Sequence, residues 1–181
     1  MPSILADIHT LDQHLSTYLR KPERYRPRQC PHCGKGGLWL HGVYYRKAQC
    51  EGQGRPTPIQ RFLCPGCHTT CSTLPAYLPP RRWYFWLAQQ IALWLLVQGA
   101  SLMQAWQQLC EQLPQAPSLA TIHRWWRHLR QQFPTHRVHL CNHFPGLPYE
   151  AHCAAFWRAV LSRGPLSHAM AALHRAGQPI P

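Results

Sequence analysis

Two short turns, Cys30-Pro31-His32-Cys33 and Cys64-Pro65-Gly66-Cys67, constrain this chain more than any other feature. A two-residue gap lets both thiolates of one turn reach the same ion at about 2.3 Å, and two such turns supply the four soft ligands of tetrahedral Zn²⁺. The turns stand 30 residues apart, and the insert reads as a hairpin. Trp39, Leu40, Val43, Tyr44 and Tyr45 form one strand-like run, and Ile59, Arg61, Phe62 and Leu63 the other. Gly52-Gln53-Gly54-Arg55-Pro56 supplies the reversal. A return strand then delivers the second turn beside the first, as in a zinc ribbon. The expected ligands are Cys30, Cys33, Cys64 and Cys67, holding one structural Zn²⁺. Cys71 lies four residues beyond Cys67 and stands as an alternative for it, whereas Cys50 falls at the far tip of the hairpin. Independent redox pairs would call for βαβ surroundings, which neither turn has. Four thiolates leave no open coordination position, so the metal has no catalytic part in this reading.

The charge balance points to the partner. The chain carries 19 Lys and Arg against 6 Asp and Glu, for a formal charge of +13 over 181 residues. One Zn²⁺ with four thiolates lowers this by two and leaves it strongly basic. Such an excess favours a polyanion, because each neutralised phosphate releases condensed counterions. With only Asp7, Asp12, Glu23, Glu51, Glu111 and Glu150 available, a nuclease or transposase that holds two magnesium ions with carboxylates is disfavoured, and no enzymatic activity is expected. The first residues show no secretory pattern, so reduced thiols and a cytoplasmic location are expected. The longest apolar stretch, Trp83 to Val97, is short of the roughly 20 residues a membrane span needs, and no membrane partner is expected.

Along the chain the reading is α+β: a small zinc-ribbon domain followed by a three-helix, helix-turn-helix-like domain, with a short N-terminal helix and a weakly helical C-terminal tail. Residues 1–28 hold the N-terminal helix, expected over 3–19, and a basic arm in which Arg20, Lys21, Arg24, Arg26 and Arg28 are interrupted by Pro22 and Pro27. Residues 29–74 form the ribbon, 75–82 a Pro-rich linker carrying Arg81 and Arg82, 83–133 the three helices, and 134–181 the tail. In the tail, helix signals occur at 150–163 and 166–175. Ser101 with Gln104 makes a capping box for the second helix, and Ser118 caps the third. That third helix has an apolar face of Leu119, Ile122, Trp126, Leu129 and Phe133, with Thr121, Arg124, Arg127, His128 and Gln131 opposite. No acidic residue lies between Ser118 and Phe133, where a merely solvated face would mix both signs. The tail residues His136, His139, Cys141, His143, His152 and Cys153 match no recurrent metal spacing.

Cys30-Pro-His-Cys-Gly, His41-Gly42 with Tyr44 and Arg46, Gln60-Arg61-Phe62 before Cys64-Pro, Leu74-Pro75, and Arg81-Arg82-Trp83 before an apolar helix together resemble transposon-associated zinc-ribbon proteins. That family includes the N-terminal part of insertion-sequence transposases and their DNA-binding partners. The resemblance covers roughly residues 28–133. It implies a helix-turn-helix after the ribbon, with Ser118 to Trp125 similar to the start of its recognition helix. The segment after Phe133 lacks the acidic catalytic domain of a full transposase.

The expected function is therefore double-stranded DNA binding by a mobile-element accessory or regulatory protein. Thr121, Arg124, Arg127 and His128 would read or position DNA, with Arg20, Lys21, Arg24, Arg26, Arg28, Arg81 and Arg82 on phosphates. Two alternatives remain open. One is a zinc-ribbon adaptor that docks on a transposase or another nucleoprotein machine. The other is an RNA-binding module, with Trp39, Tyr44 and Tyr45 stacking on bases unless they fill the ribbon's core.

Overall fold

The computed structural model describes residues 3–5, 7–46, 56–80 and 84–181. The fold is α+β, and the described residues fall into two compact units, one within 3–80 and the other spanning 84–181. Among them no helix is long and apolar enough to cross a membrane.

The first unit is built on a four-stranded sheet of order β1-β4-β3-β2, with β1 Ser3–Leu5, β2 Trp39–Arg46, β3 Thr57–Leu63 and β4 Thr70–Pro75. β1 runs parallel to β4, and the other neighbours are antiparallel. Helix α1, Leu11–Arg20, starts later than the apolar spacing predicts. Thr10 and Gln13 form a reciprocal capping box that fixes the first turn, which releases Ile4 and Leu5 to pair with Leu74 and Pro75. The expected helix over 3–19 is thus a strand followed by a shorter helix.

The basic segment is not a flexible arm. Pro22–Tyr25 form a 3₁₀ turn that buries Tyr25, and Arg24 pairs with Asp7. Tyr25 is held by His14, which is itself fully buried on α1. The Pro58 carbonyl can only accept, so the imidazole Nε2–H donates to it at 2.8 Å, and the Tyr25 hydroxyl donates to Nδ1 at 2.6 Å. These bonds tie the segment to β3 around a core of Ile8, Tyr25, Cys30, Leu38, Phe62, Cys64 and Cys71. The described part of the Pro-rich stretch packs against the same unit. Pro75, Ala76, Leu78 and Pro79 are buried, and the Ala76 N–H donates to the Ile8 carbonyl. The hairpin reversal at Gly52 to Arg55 lies outside the described residues.

The second unit contains α2 Trp86–Val97, α3 Leu102–Gln112, α4 Leu119–Gln131, α5 Phe133–His143, α6 Cys153–Arg163 and α7 Leu166–Arg175. α2 serves two cores. Trp86, Leu93 and Val97 enter one cluster, while Ala88 and Ala92 face Leu109 of α3 and Ile122 and Trp125 of α4 in another. Two faces of α2 are thus covered, while Leu87 and Trp94 leave its remaining side apolar and open to solvent. It ends in a Schellman motif: Gly99, at φ +99, donates to the Leu96 carbonyl, and Ala100 to that of Leu95.

Residues 134–181 correct the expectation of a tail. Leu140, Phe156, Trp157, Val160, Leu166, Met170 and Leu173 are buried with Trp86, Leu93 and Val97 in the larger cluster. Pro134 sits in the first turn of α5, where its missing N–H costs nothing.

Candidate functional site

The two Cys-x-x-Cys segments fold as near copies of one knuckle. In the first, the Cys30 N–H donates to the Lys35 carbonyl and the Gly34 N–H to the Cys30 carbonyl. In the second, the Cys64 N–H donates to Thr69 and the His68 N–H to Cys64, at the same offsets. Each knuckle turns through a left-handed residue directly after its second cysteine, Gly34 at φ +75 and His68 at φ +56. Glycine takes that conformation freely, and histidine is among the side chains that tolerate it. Backbone N–H groups point back at the sulfurs, with His32 N 3.4 Å from Cys30 Sγ and Gly66 N 3.3 Å from Cys64 Sγ.

The β2–β3 hairpin and the pairing of β3 with β4 bring the knuckles together. Cys30 Sγ lies 3.7 Å from Cys67 Sγ, Cys33 Sγ lies 3.5 Å from Cys64 Sγ, and all four ligand atoms fall within 4.8 Å of one another. Cys30 and Cys64 are buried, whereas Cys33 is exposed. The four can hold a metal ion, and among the described residues they are the one such group of cysteine, histidine and acidic side chains. Cys71 does not join them. It pairs with Phe62 across the sheet and packs into the core, where burial raises its pKa.

The thiols of the cluster do not titrate alike. The Thr69 hydroxyl and backbone N–H pull the Cys67 thiol down to about 6. The Lys35 amide acts the same way on Cys33, yet the neighbouring thiols, Cys64 foremost, and burial push that group up to about 12. Four sulfurs this close cannot all carry charge unless an opposite charge sits among them.

Helix α4 brings the cationic residues together on one face. Ile122, Trp125 and Leu129 are its buried line, so the helix is turned from the expected setting, in which Trp126 led the apolar face. Trp125 enters the cluster with α2 and α3, and Trp126 packs half-buried against the other. That rotation moves the exposed face to Ala120, His123, Arg124, Arg127, Arg130 and Gln131. His123 and Arg130 take the places the sequence pattern assigned to Thr121 and His128. The Thr121 hydroxyl is used locally, 3.0 Å from Ser118 Oγ and accepting from Arg124 Nη2 at 3.1 Å. The His128 ring lies beside His136, with Nε2 3.3 Å from the Pro179 carbonyl, so it supports the C-terminal segment. An open groove of about 440 Å³ runs between His123, Trp126, Arg127, Arg130 and Gln131.

The other basic candidates divide. Arg20, Lys21 and Arg28 are exposed on the first unit, Arg24 is paired with Asp7, and the Arg26 guanidinium lies 5.8 Å from the Phe62 ring centre. Arg81 and Arg82 lie outside the described residues, as does Cys50. The aromatics of β2 do not fill the ribbon's core: Trp39 and Tyr45 are exposed, and Tyr44 is half-buried beneath Arg61.

No curated protein and no solved structure matches this chain. A family model described as a domain of unknown function, DUF6431, matches residues 30–125. From the first cysteine of the first knuckle to Trp125 of α4, which is more than half its length, the chain belongs to the DUF6431 family.

Proposed function

We propose that this chain binds duplex DNA through α4 and that its four cysteines hold one structural Zn²⁺. The observation that carries the reading is the exposed α4 face: His123, Arg124, Arg127 and Arg130 lie together on a helix whose opposite side is anchored in two cores. A helix fixed from behind can enter a major groove without losing its support, and arginine reaches both guanine edges and phosphates. The helix carries no acidic residue to repel the backbone. The sulfur separations support zinc, because a tetrahedral ion with bonds of about 2.3 Å places its ligands about 3.8 Å apart. The role as accessory or regulator of a mobile element rests on the sequence resemblance, and a transposase is the protein partner it implies.

Gel shift with the zinc-loaded full chain tests the DNA reading. Duplex binding should weaken steeply with salt, and Arg127→Ala should lower the slope of log K against log salt by about 1 if that side chain neutralises one phosphate. Absence of duplex binding at low salt, with zinc bound, would overturn the proposal.

A further inference from the structure

The exposed aromatic surface of β2 is not used by a duplex-binding helix. Trp39 is 62% exposed, far outside the range of core aromatics, and Tyr45, at 65%, is as open on the opposite face of the strand with Leu40 and Val43. Cross-strand partners share a face of a sheet. Trp39 pairs with Leu63, Gly42 with Arg61 and Tyr44 with Ile59, so Trp39, Arg61 and Tyr44 stand on one face. From Leu63 to Ile59 is four strand residues, which sets the backbone positions that carry the two rings about 13 Å apart. Gly42 leaves open space between them. The Arg61 guanidinium lies 4.8 Å from the Tyr44 ring centre, and its outward side is exposed.

Charge selects the occupant. No acidic residue occurs between Glu23 and Glu51 or between Glu51 and Glu111, so strands β2 to β4 carry none, while Arg61 adds positive charge to the aromatic face. A flat aromatic surface with a cation beside it fits a polyanion that also offers planar rings, namely a nucleic acid with unpaired bases. A duplex keeps its bases stacked inside and cannot offer them. Strand addition by a second copy fits less well. β2 is an edge of its sheet, but the register shifts between Leu40 and Gly42, and a bulge there breaks the regular hydrogen-bonding row a new strand would need.

We infer that the face of β2 and β3 carrying Trp39, Tyr44 and Arg61 binds an unpaired DNA strand, with one base stacked on Trp39, another on the Arg61–Tyr44 pair, and Arg61 N–H groups on a phosphate between them. The choice of DNA over RNA rests on the duplex reading of α4; the stacking itself does not.

Fluorescence anisotropy with the full chain tests this, using labelled (dT)15, (U)15 and a mixed-sequence duplex. Trp39→Ala should raise the Kd for (dT)15 about tenfold, the loss of one stacked base, while Trp39→Phe keeps most of the affinity. The double variant Arg124→Ala/Arg127→Ala should bind (dT)15 within about twofold of the parent yet lose the duplex. Trp39 is exposed, so unchanged far-ultraviolet circular dichroism certifies the variant's fold. Equal (dT)15 affinity in Trp39→Ala and the parent overturns the inference. Tighter binding of (U)15 than (dT)15 overturns the assignment to DNA. Self-association abolished by Trp39→Ala, without binding of (dT)15, overturns it in favour of a second copy. Trp39-dependent (dT)15 binding without any duplex binding sinks the α4 proposal and upholds this one.

Discussion

His136 shows how one buried side chain ties stability to acidity. It is fully buried on α5, and burial, helped by His128 and His139 nearby and opposed by the Pro179 carbonyl that its Nε2 meets at 2.9 Å, brings its pKa from 6.5 down to about 4. In the unfolded chain the same ring takes up a proton near 6.5. Between those two values the unfolded state binds more protons, so stability falls as the pH drops from 6.5 toward 4 and levels off below. The shift is worth up to about 3 kcal/mol for this group. Urea unfolding at pH 7 and pH 4.5 should therefore show a smaller drop for His136→Gln, which keeps a donor for Pro179 but cannot titrate. An equal drop in both proteins would show that other groups set the acid sensitivity. In the sequence His136 stands out only as a metal ligand to be weighed and its burial is not legible, because a histidine's burial is decided by what packs on it, and Trp157 and Pro179 arrive from distant parts of the chain. The four cysteines were legible for the opposite reason. Their pairing is local, two residues apart, and only the meeting of the two knuckles depends on the fold.

At the scale of elements, α4 shows where pattern reading stops. Thirteen residues with two adjacent tryptophans allow two settings of the apolar stripe, about 50° apart and sharing Ile122 and Leu129, and local periodicity does not choose between them. The choice is made by α2 and α3, whose Ala88, Ala92 and Leu109 leave room for Trp125. The rotation predicts a contrast. Trp125→Ala removes a large side chain from that cluster and should cost about 3–5 kcal/mol in chemical unfolding, whereas Arg127→Ala, on the exposed face, should stay within about 0.5 kcal/mol. If Trp126→Ala proved the costlier tryptophan change, the rotated setting would be wrong. The caps were readable, since Ser101 with Gln104, Ser118 and Gly99 act on their own neighbours. Gly99→Ala forces a side chain into a left-handed turn and should lower stability by about 1 kcal/mol, read as a drop in midpoint without a change in slope. Helix α5 was not legible because Pro134, His136, His139 and His143 dilute its apolar spacing. It is held by packing against α7 and α4, while α6 and α7 pack against α2.

For the whole molecule, the decisive comparison is between metal-binding energy and the stability of a small unit. Zinc held by four thiolates contributes about 10–16 kcal/mol in small folded peptides, while an entire domain is ordinarily stable by about 5–15 kcal/mol. The first unit has a modest core, and two of its members, Cys30 and Cys64, are themselves prospective ligands. On the proposed zinc reading, removing the ion would take away a share of stability as large as the total. The second unit owes nothing to those sulfurs: its fourteen-residue cluster draws on α2, α4, α5, α6 and α7, and none of the four cysteines belongs to it. Chelation should therefore divide the molecule. Stripping the metal with excess chelator at pH 7 is expected to collapse the β-sheet signal and expose Tyr25 and Phe62, while most of the helical circular dichroism persists; Cys64→Ser should reproduce this state without chelator. Zinc added back to the stripped parent should restore the sheet, and the variant should fail to recover. A metal-free protein that kept its sheet would mean that His14, Tyr25 and the strand ladder hold the first unit unaided, and that the converging thiols serve some end other than folding.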